Sequence, residues 1–91
     1  MKETYLISYD LNEPNATQYD QVWDYIKSYP TWAHINQSLW AVVTDKSAKE
    51  IRNALVEQIG IPAPSLIVIK SGVESAWNNP LCSSIWLKKY L

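Results

Sequence analysis

Apolar and polar positions set the first element. In TYLISYDL, residues 4–11, Tyr5, Ile7 and Tyr9 fall on one side, Leu6 and Ser8 on the other, and Asp10 stands at the end. A period of two in β-branched and aromatic residues predicts a strand. Apolar groups on both sides suit a central strand covered on two faces. A polar stretch, NEPNATQ, follows. The period then changes: Tyr19, Val22, Trp23 and Ile26 recur at i, i+3, i+4 and i+7, the stripe of an amphipathic helix, and Pro30 stops it.

Residues 31–45, TWAHINQSLWAVVTD, return to a period of two and read as a hairpin turning near Asn36–Ser38. Trp32, His34 and Asn36 alternate with Ala33 and Ile35, then Trp40 and Val42 with Leu39, Ala41 and Val43. Ser47 and Glu50 have the spacing of a capping box, which opens a second helix with Ala48, Ile51, Leu55 and Ile59 as its buried stripe. Gly60 is placed to cap that helix in a left-handed conformation, and IPAPS makes a stiff loop. SLIVIKSG, residues 65–72, is the fourth strand, closed by Gly72.

The order β-α-β-β-α-β predicts an α+β, ferredoxin-like domain over residues 1–91, an antiparallel sheet with two helices on one face. The other sheet face is left without a cover and is expected to serve dimerisation. A C-terminal segment ends in a short helix from Ser83, with Trp86, Leu87 and Tyr90 available to pack on the domain and Trp77 helping to hold it.

Composition sharpens this. A chain of 91 residues buries only about 60–65% of its unfolded surface, so oligomerisation is a natural source of stability. Five Trp and six Tyr stand beside no Phe, a supply that serves either an interface or a small core. Cys82 is alone, which excludes a disulfide framework and a cysteine metal site. The N-terminus runs straight into strand-like sequence, without a signal-peptide pattern or membrane-spanning run, so a cytoplasmic protein with no membrane partner is expected. The formal net charge of −1 weighs against strong non-specific nucleic-acid binding.

The chemistry-bearing residues are few. The only glycines are Gly60 and Gly72, so no glycine-rich loop can cradle phosphates, and no HExxH or Cys/His metal spacing occurs. His34, the single histidine, reads either as a general base or as a structural hairpin residue. Trp32 and Trp40 either stack across the hairpin or take bases of a single strand. Asp10 either caps the end of its strand or presents a carboxylate at the lip of the sheet, with Ser8 on the same strand face. Lys46, Lys49 and Arg52 form the best basic stripe; Lys70, Lys88 and Lys89 come next.

With Tyr9-Asp10-Leu11 closing the first strand and Gln37-Ser38-Leu39-Trp40 entering the third, the chain resembles the small CRISPR-associated spacer-acquisition proteins, the second of the core Cas proteins. Tyr9-Asp10-Leu11 again, with Thr44-Asp45-Lys46-Ser47 and Trp86-Leu87-Lys88, makes it similar to the SinR-like branch of this superfamily, the broad group to which virulence-associated protein D also belongs. The resemblance implies a homodimer in which Asp10 of each subunit holds Mg²⁺ or Mn²⁺ and hydrolyses phosphodiester bonds in single-stranded RNA or DNA. Lys46, Lys49 and Arg52 would guide the strand. The first helix departs from the pattern, with Lys27 set against Asp20 and Asp24 where those relatives are basic. A catalytically silent dimeric scaffold, binding a protein or nucleic acid, is the alternative.

Overall fold

A computed structural model describes residues 2–10, 16–59, 65–72 and 74–91. Strand β1 (Glu3–Asp10) leads to helix α1 (Ala16–Lys27), then β2 (Thr31–Asn36), β3 (Leu39–Thr44), helix α2 (Ala48–Ile59), β4 (Ser65–Lys70) and helix α3 (Ser84–Tyr90). The four strands form one antiparallel sheet in the order β2-β3-β1-β4. β1 is a central strand, paired with β3 on one flank and β4 on the other, and its apolar groups pack on both faces of the sheet.

The two sides of β1 divide as their alternation requires. Tyr5, Ile7 and Tyr9 pack with Trp40 and Val42 against Val22 and Ile26 of α1 and Ile51 and Leu55 of α2. Burying such side chains is worth roughly 1.5–3 kcal/mol each before the entropy of ordering them. The polar tips inside this layer are satisfied. The Tyr9 hydroxyl accepts the indole N–H of Trp23 at 2.7 Å and that of Trp40 at 3.3 Å. The capping box forms as spaced: Ser47 Oγ accepts from Glu50 N at 3.1 Å, and Glu50 Oε1 from Ser47 N at 3.3 Å. The side chains of Tyr19 and Ile59, and the expected cap and loop at 60–64, lie outside the described residues.

The opposite face corrects one expectation. It is not left bare, because the C-terminal segment crosses half of it. Leu87 is fully buried against Ala33, Ile35 and Ala41, with Trp77, Cys82 and Trp86 around it. Ser83 caps α3 by accepting from Ile85 N, Trp86 Nε1 donates to Thr31 Oγ1 at 2.9 Å, and Thr4 Oγ1 donates to the Tyr90 carbonyl at 2.8 Å. A β-bulge between His34 and Asn36 helps, since the Ile35 carbonyl there accepts Leu81 N at 2.8 Å. The cover stops short of β4, whose Ile67 and Ile69 stay 54% and 50% exposed. No helix among the described residues is long and apolar enough to cross a membrane.

Candidate functional site

The end of the sheet where β1 stops gathers three chain segments. Asp10 pairs with Ser65, the first residue of β4, and Ser8 lies between Leu39 and Ile67. The β2–β3 turn closes in from the other flank, where Tyr9 N donates to the Ser38 carbonyl at 3.2 Å. Between these segments lies a cavity of about 520 Å³, and Ser8, Gln37, Ser38, Ser65 and Ile67 are among the residues lining it. Ser8, Gln37, Ser38 and Ser65 are its small polar residues, and no charged residue is among the described residues that line it. The backbone of Asp10 thus stands one residue beyond this wall; its side chain is outside the described set.

The described polar residues of the cavity offer neutral hydroxyl and amide groups. Among the described residues no group of three or more His, Cys, Asp or Glu side chains converges.

His34 is a packing residue in this structure. Its ring stacks on Trp40 with centroids 4.0 Å apart and planes 5° from parallel, and Nε2 donates to the Gln37 carbonyl at 3.2 Å. It ties the turn down beside the cavity without lining it. Trp32 and Trp40 do share a face, 5.6 Å between centroids, but Trp40 is core. Only Trp32, 37% exposed and with Lys27 Nζ 5.6 Å from its centroid, offers a surface for stacking.

The candidate basic stripe is not brought to Asp10. Register puts Glu3 opposite Thr44 and Ser8 opposite Leu39, so Lys46 and Lys49, which follow β3, sit at the other end of the sheet. Seven residue steps of β1 separate the ends, roughly 20 Å at strand rise. Arg52, nearby on α2, donates from Nε and Nη2 to Asn53 Oδ1 at 3.1 and 2.9 Å. Sequence reading missed Ser65 as part of the Asp10 neighbourhood, because only the long-range pairing of β1 with β4 reveals it.

A second cavity, about 530 Å³, opens between the sheet and the C-terminal segment, with Leu6, Leu39, Trp77 and Leu87 among its apolar walls. Comparison with family models, curated proteins and solved structures found no match for this chain.

Proposed function

We propose that this chain is a ferredoxin-like, homodimeric, metal-dependent endoribonuclease of the CRISPR-adaptation or toxin type, acting in the cytoplasm through Asp10. The fold reading is supported by the β-α-β-β-α-β succession and the strand order β2-β3-β1-β4. One observation carries the function: β1 brings the backbone of Asp10 beside an open cavity whose described lining includes Ser8, Gln37, Ser38 and Ser65. In a homodimer, Asp10 of each subunit would hold one Mg²⁺ or Mn²⁺. Such an ion would supply Lewis-acid activation of the phosphodiester and of the attacking water. The protein's own part is to place the strand: Ser8, Ser38 and Ser65 donate to sugar or phosphate oxygens, and the Gln37 amide contacts a base.

The second reading is a catalytically silent dimeric scaffold in which Asp10 closes its strand and nothing more. It is favoured by the lack of any Lys or Arg among the described residues lining the cavity. The two are separated by incubating labelled single-stranded RNA with purified protein and Mg²⁺, Mn²⁺ or EDTA, beside Asp10→Ala. Metal-dependent cutting that disappears in a still-dimeric Asp10→Ala supports the nuclease. Equal cutting in both proteins, or none in either, leaves the scaffold.

A further inference from the structure

The formal charge of −1 hides a segregation. Lys2 precedes β1 and Lys46 and Lys49 follow β3, at the end where Glu3 faces Thr44. β4 runs to that same end and carries Lys70 opposite Tyr5. Helix α1 leaves the Asp10 end and finishes on Lys27, before β2 starts at Thr31 opposite Val43. Helix α3 is tied here through Trp86 to Thr31 and Thr4 to Tyr90, which brings Lys88 and Lys89 along. All seven lysines of the chain therefore lie toward one end, and all seven are exposed.

Among the described residues four acidic ones share that end, Glu3, Asp24, Asp45 and Glu50, and Asp20 lies midway along α1. Glu3 is engaged with Lys70 at 3.5 Å, and Glu50 with the helix cap. The other end has Asp10, Glu57 at the far turn of α2 and Glu74 beside Asn36 and Leu39, and among the described residues there it has no Lys or Arg. Ammonium groups are interleaved with rings at the lysine-rich end. Lys46 Nζ lies 5.5 Å from the Tyr29 centroid, Lys89 Nζ 5.3 Å from Tyr90, and Lys27 beside the exposed Trp32.

We propose that this lysine-rich end is a docking surface for the phosphodiester backbone of a single-stranded nucleic acid, with Trp32 as its base-stacking ring. Cations from separate elements around the end of a sheet match a flexible polyanion, and each phosphate neutralised releases counterions. An exposed indole beside an ammonium group adds stacking that tolerates any base. The surface is separate from the Asp10 site and does not require Asp10 to be catalytic.

Fluorescence anisotropy of a labelled single-stranded RNA, titrated across salt concentrations without divalent metal, tests this. The wild type is compared with Lys88→Gln/Lys89→Gln and, independently, Lys46→Gln/Lys49→Gln, with Glu57→Gln as a control at the other end. The expected result is affinity that falls with salt, and a slope of log K against log salt shallower by roughly 0.7 for each phosphate-contacting lysine removed. The control keeps the wild-type slope. Absence of RNA binding at physiological salt, or slopes unmoved in both lysine pairs, overturns the proposal. So does uptake by phosphatidylserine vesicles in place of RNA. A parallel incubation with Mg²⁺ or Mn²⁺, wild type beside Asp10→Ala, distinguishes this surface from the nuclease: binding without any metal-dependent cutting by the wild type sinks the nuclease and leaves the docking surface standing. Cutting that ignores the lysine pairs does the reverse.

Discussion

Tyr9 shows how much a single side chain can hold. Its hydroxyl accepts two indole N–H groups inside a layer that also contains Trp40, which is almost wholly buried. Tyr9→Phe keeps the ring and removes the acceptor, so it should cost about 1–3 kcal/mol, the penalty of a buried donor left unmade. Urea unfolding followed by tryptophan fluorescence measures that loss; an unchanged midpoint would mean that water replaces the hydroxyl. Tyr29 gives a pH prediction. Burial, then its hydrogen bond with Tyr25, 3.0 Å between the hydroxyls, pushes its pKa well above the ordinary tyrosine value. In the unfolded chain Tyr29 ionises near 10. The neutral ring's contribution is thus complete below about pH 10 and declines as pH rises from there toward the folded value. Tyr29→Phe should flatten the alkaline limb of stability against pH, and an unaltered limb would assign it to other groups. Alternation along β1 already separates Tyr9 from Ser8, but the bond partners of Tyr9 are 14 and 31 residues away and leave no local trace.

Elements set by neighbours three or four residues apart are the legible ones. The capping box of α2 is such a case, because Ser47 and Glu50 meet through i, i+3 geometry whatever the rest of the chain does. Ser47→Ala should cost about 1 kcal/mol, read as a lower thermal midpoint. The hairpin of β2 and β3 is legible for a similar reason, with only Gln37 and Ser38 between its strands. Helix α3 can be located from its Ser83 cap and its spacing, whereas its docking on the second sheet face cannot. That docking depends on the bulge near Ile35, on Leu81, and on two tertiary bonds to Thr31 and Thr4. Leu87→Ala removes the one fully buried side chain of α3 and should destabilise by about 2–3 kcal/mol, within the range for buried leucines. Loss of near-ultraviolet ellipticity from Trp77 and Trp86, which pack around it, would confirm that the segment has come loose. A cost near zero would mean that α3 rides on the sheet without holding it.

At the scale of the molecule, pairing order and charge placement matter most, and neither is visible in composition. The net charge argued against a polyanion partner until the strand register assigned every lysine to one end. Register also leaves β4 at the edge of the sheet, with Ile67 and Ile69 half-exposed beside Leu6 on the face that α3 does not reach. An edge strand with neighbouring aliphatic side chains invites pairing, and a small domain gains from burying them. Lys70 at its last position, linked to Glu3, limits that pairing at one end only. A homodimer that covers this half-face would bring in the cavity wall, since Ile67 belongs to both. Sedimentation at micromolar concentration is expected to show a dimer for the wild type and for Asp10→Ala, and a monomer for Ile67→Lys, which buries a charge in the proposed contact. If the proposed nuclease shares one ion between two Asp10 residues, the monomeric variant should also lose metal-dependent cleavage, while its lysine-rich end stays intact. A wild type that sediments as a monomer removes the shared carboxylate pair and the nuclease with it. A dimer that survives Ile67→Lys places the dyad on another surface, where the separation of the two Asp10 residues would decide whether one ion can bridge them.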